Sequence, residues 1–490
     1  MRTTPSNLVW AILFGIVLST LTPSLMRADE VKADEVKLLS NSIVDKETLT
    51  FAAGPAAKFS TAVNGRSHQQ TPLTTYRGYQ YVTYFDAQRR VCIGRRKLPA
   101  GSWEVIYFND HRFKTNDSHN TTVLGICVQD GTIHMAFDHH ASKLNYRVSK
   151  LGAAHDPESV QWNADLFGTV THSLGSVAAD PKVTYPRFFS APNGNLMLFY
   201  RSVTSGNGNG MLEEYDGKEH DWTPSLGKAI ARDMGTFEAK GKTSEFRCPY
   251  MNSVSYAGER LHMSWVWRDR FEKTNPRNQH DLGYAYSDDD GLTWMNSAGN
   301  VIGRTGKDFI HLNSPGVVVA EIPIDSGLSN QTTHFAYADG SIHVVVRQTH
   351  EALEVDRYFH YWRDSKGEWR QEILPFSGGR PKLVGTRNRS LVLVYTDEYD
   401  DGKEELLIAQ GQPNSDLTGW QWSSVKLPFR QSLSGEPLVD YARWKREEVL
   451  SIYFQEEPEK TIRTNKSGPV DGLPAPLRVL DLSLTGLLDE

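Results

Sequence analysis

The sequence predicts an all-β protein, a seven-bladed β-propeller with four antiparallel strands in each blade. Three observations carry this prediction. Long helical periodicity is missing after the N-terminus, and short runs rich in Val, Ile, Tyr, Phe and Trp recur between Gly, Asn and Asp turns. In addition, a unit of about four strands repeats loosely along the chain, as is typical of propeller blades.

Each repeat combines an Asp-Gly or similar turn, a strand that begins with Ile-His or Leu-His, a Tyr-containing strand and a Trp. The histidine recurs at the same place in three copies, which indicates a packing role for His134, His262 and His343. The strands that open the repeats give seven starts, and hence seven blades, near Tyr79, Thr122, Tyr185, Tyr250, Thr332, Arg380 and Glu436.

One hairpin motif supports the propeller directly. Residues 287–294, Ser-Asp-Asp-Asp-Gly-Leu-Thr-Trp, fit the pattern S-x-D-x-G-x-T-W, the Asp-box hairpin of sialidase-like propellers. We expect Ser287 and Asp289 to hold the turn backbone and Trp294 to pack between blades. The motif therefore predicts structure and carries no information about activity.

The N-terminus reads as an export signal. Arg2 precedes an apolar stretch at residues 8–21, and Ala28 lies in a plausible cleavage region, so residues 1–28 are predicted to be a signal peptide. The stretch is too short for a stable membrane anchor, and we expect no membrane span in the mature, periplasmic or secreted chain. Residues 29–69 are predicted to be a spacer, and residues 70–490 the propeller catalytic domain.

Composition excludes several classes of protein. The net charge of -6 argues against a nucleic-acid partner, whose binding surface would be basic. Three cysteines, Cys92, Cys127 and Cys248, are too few for a disulfide scaffold and allow one pair at most. We therefore expect a monomer that is stabilised by packing.

The segment from 115 to 146 is the strongest candidate for chemistry. His119 lies just before one apolar run, and Asp138-His139-His140 follows the next, so the imidazoles would emerge at one edge of a sheet. Imidazoles gathered at one rim can transfer protons near neutral pH. The alternative, that these are turn histidines with local hydrogen bonds, stays open.

Comparable positions in other blades add polar groups. Asn120 follows His119, Tyr185 and Arg187 open the third blade with Arg201 downstream, and Tyr250 opens the fourth. Because propellers keep functional groups at one end of the central channel, we expect these side chains to face one pocket. The set lacks the carboxylate pair of a glycosidase and the serine nucleophile of a hydrolase.

Histidine, tyrosine and arginine suit β-elimination at a uronic acid. Arginine binds and neutralises the sugar carboxylate, a histidine or tyrosinate removes the C5 proton, and a neutral phenol protonates the departing oxygen. This scheme requires no metal cofactor.

These residues resemble the BNR-repeat propeller lyases, which include the seven-bladed ulvan lyases that cleave a sulfated rhamnose-uronate polysaccharide. The resemblance covers roughly residues 70 to 430. It rests on His119-Asn120, Asp138-His139-His140, Thr184-Tyr185-Pro186-Arg187, Phe199-Tyr200-Arg201 and the segments 205–209 and 279–285. It implies an exported polysaccharide lyase that acts on an anionic glycan.

The resemblance also implies roles for single residues. His119 and Tyr185 would perform the proton transfers, Arg201 would neutralise the carboxylate, and His139 would support the site. Substrate would contact Asn120, His140, Tyr250 and Arg187. Which of His119, His139 and Tyr185 is base and which is acid stays open, as does the choice between His139 and His140 as the ring that faces the pocket.

Three further readings stay open. A propeller hydrolase of the rhamnosidase or sialidase type is one, and a non-catalytic glycan-binding propeller with sugars stacked on Trp265, Trp267 and Tyr250 is another. The third concerns a metal, because some related lyases carry a structural zinc held by His and Cys. Cys248, His262 and His280 are the candidate ligands, although their spacing matches no compact zinc motif.

Overall fold

Seven blades surround a central channel, which confirms the predicted all-β propeller. The computed structural model describes residues 36–50, 62–115, 117–177, 182–271, 278–398, 404–458 and 473–488. The predicted signal peptide lies outside the described residues. No helix among the described residues is both long and apolar enough to cross a membrane.

The first three blades follow one another along the chain, after β1 (Lys37–Thr48), which belongs to the last blade. Blade 1 contains β2 (Leu73–Tyr76), β3 (Tyr79–Phe85), β4 (Arg90–Lys97) and β5 (Glu104–Arg112). Blade 2 contains β6 (Thr122–Ile126), β7 (Ile133–Phe137) and β9 (Tyr146–Val148), and isolated bridges to Phe167 and Thr171 border its outer strand. Blade 3 contains β10 (Val183–Ser190), β11 (Leu196–Ser202), β12 (Gly210–Asp216) and β13 (Asp221–Ile230), and β8 (His140–Ser142) pairs with β10.

The remaining blades repeat this antiparallel order. A hairpin of β14 (Phe237–Ala239) and β15 (Lys242–Ser244) precedes blade 4, which contains β16 (Phe246–Ala257), β17 (Arg260–Arg270), β18 (Gln279–Ser287), β19 (Thr293–Met295) and β20 (Val301–Arg304), with β21 (Val318–Ala320) paired to β18. Blade 5 contains β22 (Thr333–Ala336), β23 (Ile342–His350), β24 (Val355–Arg363) and β25 (Trp369–Ile373). Blade 6 contains β26 (Lys382–Gly385), β27 (Leu391–Glu398), β28 (Glu404–Pro413) and β29 (Trp420–Val425).

Blade 7 closes the ring with strands from both ends of the chain. It contains β30 (Ser434–Val439), β31 (Val449–Gln455), β32 (Ala475–Ser483) and, at its outer edge, β1. The helices are α1 (Tyr441–Glu447) and α2 (Thr485–Leu488), and Ala164–Leu166 is a short 3-10 helix.

The first strands of successive blades contact one another and therefore line the channel. Six of the seven predicted blade starts lie within four residues of the first residue of an inner strand. The exception is Tyr79, which begins the second strand of blade 1, because the inner strand there starts at Leu73. The hydrophobic core lies between blades, where Val345, Leu393 and Ile452 of three consecutive blades share one buried cluster.

The Asp-box hairpin has the predicted structural role. The Ser287 hydroxyl donates to Asp289 at 2.7 Å and accepts from the backbone N–H of Gly291 at 2.9 Å. Trp294 is fully buried, and its indole N–H donates to Thr305 at 2.9 Å.

The repeated histidines are structural, as predicted. His134, His262 and His343 each lie on the second strand of a blade and are fully or almost fully buried. Each ring shares a hydrogen bond of 2.6–3.0 Å with a side chain of the third strand, namely Tyr146, Tyr284 and His360.

The N-terminal strand corrects the expectation of a spacer at residues 29–69. β1 pairs with β32 from Lys37↔Ser483 to Thr48↔Ala475, so the propeller includes residues that were assigned to the spacer. This strand was not recognised because it is an outer strand with mostly polar side chains that are exposed or partly buried, and it lacks the apolar alternation that marks a strand in a sequence.

A buried carboxylate joins the ends of the ring. Asp481 of β32 pairs with Arg96 of blade 1 at 2.7 Å and with Arg443 of α1 at 2.8 Å. It also accepts hydrogen bonds from Ser40 of β1 at 2.6 Å and from Ser451 at 2.7 Å. Burial raises the pKa of Asp481, but the two guanidinium groups lower it by a larger amount. The net shift is downward, and the carboxylate is ionised at neutral pH.

We expect Asp481→Asn to lower the free energy of unfolding by about 3–5 kcal/mol, because the change leaves buried Arg96 without its partner carboxylate and leaves Arg443 with Glu447 alone. Guanidinium denaturation at neutral pH measures the effect. The control is Asp308→Asn, which removes an exposed partner of Arg304 and is expected to change stability by less than about 0.5 kcal/mol. Equal effects of the two changes would show that Asp481 does not hold the ring closed.

Candidate active site

Polar side chains from several blades meet where the inner strands begin. His68 precedes β2, Asp117 and His119 precede β6, and Tyr185 and Tyr250 lie in the first halves of β10 and β16. This convergence at one end of the channel agrees with the expectation from the sequence.

Asp117 holds two imidazoles together. One carboxylate oxygen bonds Nδ1 of His119, and the other bonds Nδ1 of His140 at 2.5 Å. The two rings stack with centroids 4.4 Å apart and planes inclined by 20°. His68 stacks on the opposite side of His119, with centroids 5.3 Å apart. We call Asp117, His68, His119 and His140 the histidine cluster.

The hydrogen bonds of Asp117 determine the state of the imidazoles. Burial raises the pKa of Asp117, but hydrogen bonds from His119 and His140 lower it by a larger amount. The carboxylate is therefore ionised and can only accept hydrogen bonds. Both Nδ1 atoms therefore carry a proton, and in a neutral His119 ring Nε2 has the lone pair that can accept another. Burial lowers the pKa of His119 despite the opposing effect of Asp117, which keeps this ring neutral at neutral pH.

His68 is a second neutral ring. Burial lowers its pKa well below the ordinary value, and the positive charge of Arg380 lowers it further. Its Nε2–H donates to the carbonyl oxygen of Ser118 at 3.2 Å. His68 therefore packs His119 in place and holds the segment that carries Asp117.

Tyr185 lies in a strained backbone conformation beside the cluster. Its φ of 54° is in the left-handed region, although it precedes a proline, and the pairing of β10 with β11 is irregular between Thr184 and Arg187. The bulge places the phenol ring 6.2 Å from His119 and 6.0 Å from His140, centroid to centroid. Burial raises the pKa of Tyr185, so the phenol is protonated at neutral pH.

Arg201 is a buried cation between two phenol rings. Its guanidinium carbon lies 4.8 Å from the ring centre of Tyr185 and 4.9 Å from that of Tyr250, and only 3% of the residue is exposed. Among the described residues, Nε, Nη1 and Nη2 of Arg201 have no hydrogen-bond partner. A buried guanidinium with unpaired N–H groups is costly, and an anion that binds it removes that cost.

Tyr250 and its neighbours form the wall beyond Arg201. The Tyr250 hydroxyl accepts from Nη1 of Arg268 at 2.8 Å and shares a hydrogen bond of 2.9 Å with Ser205. Two guanidinium groups thus approach one phenol ring, and this wall is positively charged.

A second positive region lies across the channel mouth. Glu436 pairs with Arg380 at 2.8 Å and with Arg66 at 3.7 Å, so two cations share one carboxylate. Both arginines are partly exposed, with 16–19% of their side chains accessible. The excess of positive charge favours an anionic ligand at this end of the channel.

The structure places His139 and Asn120 outside the cluster's proton-transfer contacts. Asp138 and Ala141 have φ values of 64° and 55°, and the turn between them points the two histidines apart. His140 reaches Asp117, whereas buried His139 accepts the backbone N–H of Asn145 at 2.7 Å and has its pKa lowered to about 3 by burial. Asn120 donates to Asp138 at 2.6 Å, which shapes this turn.

Arg187 also lies away from the cluster. Its Nη2 donates to the carbonyl oxygen of Met251 at 3.3 Å, and the side chain lines a cavity deeper in the channel. Tyr185 and Pro186, the two residues between Thr184 and Arg187, interrupt the regular pairing with β11, which explains why the side chains of Tyr185 and Arg187 point to different places.

The candidate zinc ligands are not brought together. Cys248 accepts the backbone N–H of Gly206, His262 bonds Tyr284, and His280 bonds Asp269 and Asp281 at 2.7 and 3.0 Å. His262 pairs with Ser255, seven residues along β16 from Cys248, which is about 23 Å. These residues do not fit a shared zinc site, and the three cysteines are buried and unpaired.

One other group has metal-ligand geometry. The ligand atoms of Asp117, His119 and His140 lie within 4.8 Å of one another, the only such group of three found among the described residues. Hydrogen bonding between the carboxylate and the two Nδ1–H groups accounts for this arrangement without a metal.

The two tryptophans that were candidates for stacking on sugars cannot contact a ligand. Trp265 and Trp267 are fully buried, and their ring centroids lie 5.6 Å apart in an edge-to-face contact. They belong to the core between blades, which removes the observation that favoured a non-catalytic glycan-binding propeller.

Sequence reasoning missed His68, Asp117 and Arg380. His68 lies in the stretch assigned to the spacer, and Arg380 was noticed only as a blade start. Asp117 lies two residues before His119 in an Asp-Ser-His turn, and this spacing is the signal that could have identified it, because a carboxylate there can reach the Nδ1 atom of the same turn.

Comparison with known proteins identifies the family. Residues 79–376 match the sequence model of the BNR repeat-containing family. The chain belongs to this family. It is 24% identical over 458 residues to the ulvan lyase, long isoform, of Pseudoalteromonas sp. (strain PLSV), covering 82% of this chain and 44% of the relative. It is 24% identical over 268 residues to the short isoform of Alteromonas sp. (strain LOR), covering 46% of this chain and 49% of the relative.

This BNR-repeat chain therefore spans less than half the length of either relative. Solved structures share its fold. The polysaccharide lyase Uly1 superposes with a TM-score of 0.68 at 17% identity, covering 91% of this chain and all of that one. A PL25 ulvan lyase superposes with a TM-score of 0.58 at 12% identity, covering 84% and 92%.

We expect Asp117→Asn to lower the pKa of His119 further, because the carboxylate opposes the effect of burial through its hydrogen bond and charge. His119 would then stay neutral to a lower pH than in the unmodified protein. Histidine-selective NMR titration, with the signal assigned through His119→Gln, measures the shift. The control is Glu158→Gln, whose carboxylate bonds Lys97 and Tyr79 instead of a histidine. An unchanged or raised pKa would contradict this account of the cluster.

Proposed function

We propose that this protein is a polysaccharide lyase that cleaves a uronate-containing glycan by β-elimination. The observation that carries the proposal is Arg201, a buried guanidinium with unpaired N–H groups beside a neutral imidazole and a protonated phenol. This arrangement supplies the three functions of the reaction, which are charge neutralisation, a base and an acid.

The uronate carboxylate is the anion that completes Arg201. Bound there, it loses its repulsion toward the negative charge that develops when the adjacent C5 proton leaves. Arginine suits this task because it offers several N–H donors and keeps its charge at all relevant pH values. Cation–π contacts with Tyr185 and Tyr250 hold the guanidinium in place while these donors face the substrate.

The proton transfers then follow from the protonation states. Nε2 of His119 takes the C5 proton, the electron pair forms the C4=C5 double bond, and the C4–O bond breaks. The departing oxygen takes a proton from the hydroxyl of Tyr185. Because the pKa of His119 is lowered and that of Tyr185 is raised, the two groups are in the states that this direction requires at neutral pH.

His140 positions the base in this scheme. It shares the carboxylate of Asp117, which fixes the proton of His119 on Nδ1, and its ring stacks on the ring of His119. Comparison of His119→Gln with His140→Gln separates the two roles, because loss of the base removes turnover, whereas loss of the positioning ring reduces it.

The substrate class is supported by charge and by similarity. Arg66, Arg268 and Arg380 surround the cluster with positive charge, as an anionic glycan requires. The relatives named ulvan lyase, at 24% identity, support a sulfated rhamnose-uronate polymer. We propose that the enzyme acts outside the cytoplasm, in line with the signal-peptide pattern at residues 1–28.

We expect Tyr185→Phe to reduce turnover of a uronate glycan by about 10²–10⁴-fold, since the leaving oxygen loses its proton donor, while glycan binding is largely retained. Ultraviolet absorbance of the unsaturated uronate measures elimination directly. Tyr79→Phe is the matched control, because it removes a phenol hydroxyl of blade 1 that bonds the exposed carboxylate of Glu158.

Two outcomes would oppose the proposal. Full turnover by Tyr185→Phe would show that another group protonates the leaving oxygen. Release of monosaccharide without new absorbance would identify a hydrolase, the alternative that the sequence left open.

We expect Arg201→Lys to lower kcat by about 10²-fold, since lysine keeps the charge but loses the planar set of donors that meets the carboxylate as its charge grows. Steady-state kinetics separate kcat from KM. Arg260→Lys, at a surface pair with Asp288, is the control and is expected to leave both unchanged. A rise in KM alone would assign Arg201 to uniform binding and exclude the proposed role in the transition state.

A further inference from the structure

A second chamber lies in the channel beyond the candidate active site. Its volume is about 500 Å³, and it is lined by later residues of the inner strands, such as Arg187 of β10 and Asn252 of β16. Helix α1 contributes Tyr441 and Lys445 to its lining. None of the histidine cluster, Tyr185, Arg201 or Tyr250 lines this chamber.

The charge of this chamber has one sign. Its lining includes Arg187, Lys382, Lys445 and Arg446 but no Asp or Glu. The two lysines donate hydrogen bonds to uncharged groups. Lys382 donates to the Ser67 hydroxyl and to the carbonyl oxygen of Thr332, and Lys445 donates to the carbonyl oxygen of Tyr256. Burial accordingly lowers the pKa of Lys382 to about 7 and that of Arg187 to about 9.

Donors without partners line the same space. Arg187 is 3% exposed, and among the described residues its Nε and Nη1 have no hydrogen-bond partner. Nδ2 of Asn252, which is 1% exposed, is likewise unpaired. The side-chain oxygen Oδ1 of Asn252 accepts from the hydroxyl of Thr332 at 3.0 Å, and this hydrogen bond orients the side-chain amide.

Two buried guanidinium nitrogens and one buried amide nitrogen without acceptors are costly in a folded protein. They are contributed by blades 3 and 4, and Lys382 comes from blade 6, so the cost falls where the blades meet. An acceptor with several oxygens and a negative charge satisfies all of these groups at once.

We propose that this chamber binds a small tetrahedral oxyanion of the sulfate or phosphate class, with Arg187 and Asn252 as its ligands. The anion neutralises the buried arginine, links neighbouring inner strands and stabilises the ring. This site is independent of the proposed lyase activity, and its test uses no glycan.

The first test is thermal unfolding of the full chain in sodium sulfate, in sodium phosphate and in sodium chloride, at matched ionic strength. At saturation we expect sulfate or phosphate to raise the Tm by about 3 °C or more beyond chloride. Since sulfate also stabilises proteins by exclusion from their surface, the measured quantity is the difference between the unmodified protein and its variants.

Arg187→Met is expected to abolish the specific increase. The control is Arg304→Met, which removes an exposed arginine and keeps the full response. If Arg187→Met fails to fold, Asn252→Asp replaces it, because this change supplies a carboxylate inside the chamber. We expect Asn252→Asp to have a higher Tm than the unmodified protein without oxyanion and to show no specific response to sulfate.

Diffraction from crystals grown in selenate tests the location. An anomalous peak within hydrogen-bond distance of Arg187 is the expected result. An equal sulfate response in the unmodified protein and in both chamber variants, or a chamber without a selenate peak, would overturn the proposal.

Discussion

Closure of the ring by β1 is the constraint on which the site depends. The candidate catalytic side chains come from different blades, so the distances between them are set by the whole ring. β1 pairs with β32 in blade 7, and the chain then leads to His68, which packs against His119 from blade 2. Asp481 strengthens the same seam through Arg96 of blade 1. The segment that follows the closing strand therefore also contributes a side chain to the candidate active site.

Within that frame, a single carboxylate organises the proton chemistry. Asp117 accepts from Nδ1 of both His119 and His140 and so fixes the tautomer of the two rings together. Burial lowers the pKa of His119 and Asp117 opposes this effect. The imidazole of the proposed base is therefore neutral at neutral pH, and its pKa is lowered less than burial alone would lower it. Tyr185 reaches the same pocket only through a bulge and a left-handed φ, a cost that packing by the neighbouring blades sustains.

The sequence predicted the propeller, because the turn chemistry and the repeated Ile-His strands report local structure. It also predicted that His119, Tyr185, Arg201 and Tyr250 converge, because each lies near the start of an inner strand or on the strand paired with it. It could not separate His139 from His140, because that depends on the φ angles of Asp138 and Ala141. It missed β1, because an exposed outer strand has no apolar periodicity. The zinc set was wrong because residues near in sequence lie far apart along paired strands.

The two arginines of the β10–β11 hairpin show how one structural device serves two ends of the channel. Arg201 and Arg187 are equally buried, and each keeps unpaired N–H groups among the described residues. Arg201 lies between Tyr185 and Tyr250, whereas Arg187, which follows the irregular pairing after Thr184, lines the chamber. Replacing either by an apolar side chain would remove the cost of burying a cation. The charge and the unpaired N–H groups of both arginines are therefore the common basis of the two proposed anion-binding positions, one for a substrate that turns over and one for an ion that stays.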